Sequence, residues 1–283
     1  MPAGQAQTTT TVGVLRPERL LQAADLRRLP CHPDLGRWVE NYWQLRWELP
    51  AGESYDSSTL PHPACTLSVE LGSARPEVGD DRVVVTGVPT RRFDVRLQST
   101  GSVTAAKFRP GGLAALIGAP AGVNSAAALR DRVVPARTLL PAAPCDDLAA
   151  ITLTTPPGEA LDVLERRLLS LAENAPVDPR YEAVLAVVDD MLADRTLQRV
   201  AQVEQRHGMS TRTLQRLFER YVGVGPKWVL ARYRIHDAVS EIDAGYDGTI
   251  ADLSASLGWY DQSHFVGDFT RLVGEPPDQY RRR

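Results

Sequence analysis

The chain has 283 residues, 43% of them hydrophobic and 24% charged, and a formal net charge of −3. This is enough apolar material for a sizeable core, in two domains rather than one, and the pattern is not that of a disordered chain. The balance of charge announces no polyanion binder, and no run of about 18 apolar residues is present to span a membrane.

Read from its start, MPAGQAQTTTTVG lacks a basic region and an apolar stretch, so we expect a frayed polar tail and no signal peptide. Strand signals come next. Residues 37–49 alternate with period two and carry Trp38, Tyr42, Trp43 and Trp47. Residues 65–72, 82–89, 91–99 and 102–112 continue the pattern between Gly, Pro and Asp, which predicts a sandwich or barrel. A short helix is expected at 111–118, and 119–157 gives no clear pattern.

The second half is helical. Leu161, Leu164, Leu168 and Leu171 form an amphipathic stripe over 158–173, and NAPVDP (174–179) breaks it. A new helix is predicted at 181–194. The expected division is therefore a β domain at 14–157, a helix and linker at 158–179 and an all-α domain at 180–283, with the boundary near 176.

The last hundred residues repeat themselves. VAQVEQRHG (200–208) resembles IADLSASLG (250–258), and STRTLQRLFERYVGVGP (210–226) resembles DQSHFVGDFTRLVGEPP (261–277). In each copy a short helix stops at a glycine, Gly208 or Gly258, where a sharp turn needs positive φ. Ser210 or Asp261 then caps a second helix. That helix turns Leu214, Leu217 and Phe218, or Phe265, Phe269 and Leu272, to one side and ends at Gly223 or Gly274. Two helices joined this way form a helix-turn-helix, predicted at 200–221 and again at 250–272.

The outer side of the second helix in the first copy carries Thr211, Arg212, Gln215 and Arg216, with Arg220 one turn on. Arginine pairs with guanine O6 and N7 and glutamine with adenine N6 and N7, while a helix N-terminus favours phosphate. The apolar periodicity of 226–243 predicts a rod about 27 Å long if helical. It would hold two such helices about one duplex turn apart, so that one chain reads adjacent major grooves.

Residues 181–283 resemble the DNA-binding domain of the AraC-type (arabinose-regulator) transcription factors, on the two repeated units and the helix between them. The resemblance implies a cytoplasmic, nucleoid-associated regulator whose partner is double-stranded DNA, with RNA polymerase added if it activates. The family's base-reading positions fall on Arg212, Gln215 and Arg216 in the first unit, and on Gln262, Ser263, His264 and Val266 in the second. Two departures stand out. Gly267 replaces the usual arginine and Asp268 adds a negative charge, so the first unit is expected to dominate. Glu204 stands where alanine is usual, so it must turn outward or the helix crossing opens slightly. The domain also holds thirteen Lys and Arg against fifteen Asp and Glu, a balance of −2 where a basic surface is the norm. Its acids, among them Asp189, Asp190 and Asp194, must then point away from DNA.

The first half is similar to the cupin-like sensory domains attached to some of these regulators, which implies a small barrel that holds an effector or forms a homodimer. Tyr42, Trp43, Trp47 and His62 are the candidate effector residues; aromatics in alternation are also ordinary core. The overall expectation is an α+β chain. Metal and cofactor are expected to be absent: His32 and His62 are the only histidines in the β region, and His62 with Glu70 supplies two ligands where three or four are needed. Cys31, Cys65 and Cys145 form no CxxC pattern and fit a reducing compartment. The absence of GxSxG, HExxH, GxGxxG or a phosphate loop argues against catalysis. The alternatives are a cupin-like enzyme, or a protein-interaction module in place of the DNA-binding one.

Overall fold

The computed structural model describes residues 13–72, 75, 77–118 and 126–282. The expected frayed tail falls largely outside them, as does part of the stretch at 119–157 that gave no pattern. Helix α1 (Pro17–Ala23) runs directly into strand β1 (Ala24–Leu29), and β2 (Val39–Glu48) returns beside it. Strands β3 (Ser54–Thr59), β4 (Thr66–Leu71), β5 (Val83–Thr86), β6 (Phe93–Gln98) and β7 (Thr100–Phe108) come next. A short helix α2 (Gly112–Ile117), strand β8 (Val133–Pro135) and helix α3 (Ala142–Ala149) close the β-rich half.

Six strands form one antiparallel sheet in the order β1-β2-β7-β4-β5-β8, and β3 pairs with β6 in a separate two-stranded sheet. The predicted sandwich is therefore lopsided. The chain crosses between the sheets at Ser99, whose φ of +53° makes a sharp corner between β6 and β7. Successive strand residues face opposite sides, so β2 has two apolar faces. Leu45 and Trp47 pack with Leu97 of β6 and with Leu20 and Ala24 around α1. Tyr42 instead joins Leu67, Val69, Ala106 and Phe108 in the main core, beneath Leu164 and Leu168 of α4 (Pro157–Ala172). Gln44 on that side is satisfied by donating to Thr104 Oγ1 (3.2 Å) and Pro157 O (2.6 Å).

The helical half is α5 (Pro179–Ala193), α6 (Val200–His207), α7 (Thr211–Tyr221), α8 (Pro226–Asp243), α9 (Ile250–Ser256), α10 (Gln262–Val273) and α11 (Pro277–Arg281). The break expected at 174–179 separates α4 from α5, but the apolar core does not stop there. Tyr181, Val184 and Val188 of α5 and Leu214, Phe218 and Tyr221 of α7 belong to the same buried cluster as the sheet. Tyr181 Oη donates to Arg37 O (2.9 Å), and Arg109 Nη2 donates to both carboxylate oxygens of Asp189 (2.7 and 2.9 Å). Gly111 is required here: a Cβ on it would press Tyr181 and Tyr221, and its φ is +83°.

A second cluster holds α9, α10 and α11 together through Leu253, Phe265, Phe269 and Tyr280. Helix α8 belongs to both clusters, with Val229, Leu230 and Tyr233 in the first and Ile235, Ala238, Val239 and Ile242 in the second. The segment Leu60–Ala64 lies against its middle. Arg232, only 1% exposed, donates from Nε to Pro61 O, and His236 Nε2 stands 3.1 Å from the same oxygen. The His62 ring meets Tyr233 and His236 edge-on, with centroids 6.0 and 5.4 Å away.

Candidate nucleic-acid interface

The two repeated units fold as their sequences dictate. Helix α6 ends at Gly208 with φ +61°, and Gly258 comes after α9 with φ +78°. Ser210 Oγ accepts from Thr213 N (3.3 Å) and Asp261 Oδ1 from His264 N (2.8 Å), so each second helix has the predicted cap. Leu214, Leu217 and Phe218 are buried, as are Phe265, Phe269 and Leu272.

That inward face fixes the outward one. On α7, Thr211, Arg212, Gln215, Arg216, Glu219 and Arg220 are exposed. The hydroxyl of Ser210 is committed to its cap, and Thr211 Oγ1 donates to Glu204 across the turn. Glu204 thus bridges the two helices of the unit from a half-buried position, which resolves how it is accommodated where alanine is usual. Arg220 lies over the Tyr221 ring, 5.3 Å from its centroid. Tyr221 Oη in turn donates to Asp178, the cap of α5, which pins the end of α7.

Many of the domain's acids are engaged by partners within the protein. Asp189 pairs with Arg109, Asp194 with Arg206 (2.7 Å), Asp237 and Glu241 with Arg195 (2.9 and 2.8 Å), and Asp278 with Arg281. His207 Nε2 is 3.1 Å from Asp190. Among the described residues, Arg212, Arg216 and Lys227 form no ion pair, and all three are exposed. Uncommitted cations thus stand on the first unit and at the start of the rod. A net sum of −2 hides this arrangement.

On α10, Gln262, Ser263 and His264 are exposed, but Val266 is half-buried against the second core. Gly267 is exposed, and a Cβ there would meet nothing within 4 Å. Asp268 accepts from Trp259 Nε1 (3.2 Å) and from Arg271 Nη2 (2.6 Å), so its charge serves the packing of the unit.

The candidate effector residues do not come together. Tyr42 points into the main core, Trp43 and Trp47 to the other face of β2, and His62 against α8. Tyr42 and Trp43 are neighbours on a strand, so one cavity cannot take both side chains. Glu70, the other expected metal-site candidate, is held by Arg75 (2.6 and 2.7 Å) and Ser68 (2.8 Å). No group of three or more His, Cys, Asp or Glu that could hold a metal ion occurs among the described residues. Nor is any helix among them long and apolar enough to cross a membrane.

Comparison with known proteins recovers the helix-turn-helix reading of the helical half. Residues 203–283 match the model of a helix-turn-helix domain family. A Streptomyces lividans protein described as an AraC-like transcription regulator is 34% identical over 83 residues, 29% of this chain and 27% of that protein. The HTH-type transcriptional regulator Rv1931c of Mycobacterium tuberculosis is 32% identical over 84 residues, 30% of this chain and 32% of the relative. Residues 203–283 form a helix-turn-helix domain, similar in sequence to these regulators. The chain aligns with about a quarter to a third of these relatives' length. The DNA-binding domain of AdpA, solved with a target DNA, is similar at 24% identity with a TM-score of 0.31, covering 38% of this chain and 92% of that one. Residues 27–135, most of the β-rich half, match a family described as a domain of unknown function (DUF6597).

Proposed function

We propose that this chain is a sequence-specific transcription regulator that reads DNA chiefly through α7. One observation carries the reading. Arg212, Gln215 and Arg216 stand exposed at the N-terminal end of a capped helix, and neither arginine is held by a carboxylate among the described residues. A docking helix for a neutral partner would not need two uncommitted guanidiniums flanking a glutamine. Ser210, Thr211 and Arg220 frame this face and contribute phosphate contacts from the backbone and guanidinium.

Helix α10 adds a weaker second contact through Gln262, Ser263 and His264. The rod α8 holds the two units for adjacent major grooves of one duplex. The sheet domain is the sensory and assembly half, cupin-like in role, and homodimerisation through it is compatible with this use. Nucleoid localisation follows from DNA binding, and RNA polymerase becomes a partner if the output is activation.

The test is to select the binding sequence from random duplexes and titrate the intact chain and variants by gel shift. Arg216→Ala is expected to weaken specific binding by about 1–3 kcal/mol and to relax sequence preference at one base pair. Wild-type affinity and preference in that variant would remove α7 from the role given to it.

A further inference from the structure

The second helix-turn-helix unit does not hang free of the sheet domain. A cleft of about 420 Å³ lies between them, a size suited to a small ligand. Arg16 and Arg19 line it at the start of α1, Tyr55 on β3, Arg92 just before β6, Glu275 between α10 and α11, and Tyr280 in α11.

The three guanidiniums are differently engaged. Arg92 is fixed: it donates to Val273 O (3.0 Å), closing the last turn of α10, and to both oxygens of Asp94 (2.8 and 3.1 Å). Arg16 reaches across the cleft to the Glu275 carboxylate (2.5 Å) from a left-handed backbone with φ +57° and ψ +59°, a conformation uncommon for a residue with a Cβ. Arg19 is exposed and forms no ion pair among the described residues. The other acid on the lining, Asp56, is taken by Arg96 (2.7 and 2.9 Å). Tyr55 and Tyr280 also line the cleft, Tyr280 from the edge of the second core.

We propose that this cleft binds a small organic carboxylate with a compact apolar body. Its carboxylate pairs with Arg19 and competes with Glu275 for Arg16, while its body lies against the two tyrosines. Occupancy releases the Arg16–Glu275 tie and so changes how firmly the sheet domain holds α10 and α11. The site itself is independent of the regulatory reading; only its consequence for DNA rests on that reading.

The experiment uses the full chain without DNA, with phenylacetate as probe and 2-phenylethanol as its uncharged counterpart. Phenylacetate is expected to raise the melting temperature saturably, and the alcohol to leave it unchanged. Arg19→Ala, on an exposed helix position, should weaken phenylacetate binding by about tenfold or more. Glu275→Gln removes the competing charge and should tighten it. The proposal is overturned if phenylacetate gives no saturable shift, if the alcohol acts equally, or if both variants bind like wild type. Far-UV circular dichroism confirms that each variant is folded. Loss of DNA binding with phenylacetate binding intact would count against the regulatory reading alone.

Discussion

Two arginines that look alike in the sequence have opposite fates. Arg206 is spent on Asp194, while Arg212, six residues on, is exposed and unpaired among the described residues. Both are exposed, and the difference is that Asp194 stands beside Arg206, which the sequence does not announce. The outward placement of Arg212 is legible: once Leu214, Leu217 and Phe218 are placed inward, the positions left outward on α7 are set by a period of 3.6. Gly267 is the opposite case. A glycine inside a helix costs about 0.5–1 kcal/mol relative to alanine, and here nothing surrounds it that a side chain would strike. Gly267→Ala should therefore raise stability by about that amount in chemical denaturation. Gly267→Arg should strengthen DNA binding and steepen its logarithmic salt dependence by about one unit. A destabilised alanine variant would show that α10 needs flexibility there. The aromatic effector candidates divide between two faces of β2 for a reason that is already visible in the sequence. Residues 42 and 43 share a strand, and a strand sends neighbours to opposite faces.

At the scale of elements, the contact between Leu60–Ala64 and the middle of α8 has no sequence signal. Arg232 reads as one more polar position on an amphipathic rod, yet it is almost wholly buried, and burial pushes its pKa down to about 9. His62 beside it is held well below the ordinary imidazole value, first by burial and then by Lys107, His236, Arg232 and Arg28. Above about pH 6.5 His62 is neutral in both folded and unfolded chains and costs nothing. Below it, the unfolded chain takes up a proton that the folded chain refuses, so stability falls as pH falls. Between pH 7 and 5 the loss from this one group is up to about 2 kcal/mol. His62→Phe should flatten that part of the stability profile in urea titrations at several pH values. An unchanged profile would assign the pH dependence to other groups. The elements that go unread are the short or polar ones: β3 is SYDSST, an edge pair with little apolar signal, and β1 continues straight from α1 without a turn residue to announce it.

At the scale of the molecule, composition shifts mark where strands give way to helices but not where packing stops. Tyr181, Phe218 and Tyr221 complete the core of the sheet domain, although they lie beyond the linker that the sequence displays at 174–179. The local codes, caps and glycine turns, are legible because they depend on neighbours in the chain. The shared core is not, because it depends on which faces meet. A fragment of residues 180–283 would expose the α5 and α7 faces that now meet the sheet domain. It should melt at least ~10 °C below the intact chain and bind a hydrophobic dye, since small domains lose several degrees per kcal/mol. Equal melting of fragment and parent would mean that the two halves share no stabilisation. Helix α8, seated in both clusters, has a different consequence. Each residue added to a helix rotates the chain beyond it by about 100° and advances it about 1.5 Å. An alanine inserted near Arg234 would swing the second reading head out of phase with the first, toward another side of the duplex. On the proposed reading the chain is geared to one separation between two half-sites, and an operator lengthened by half a helical turn should bind it more weakly.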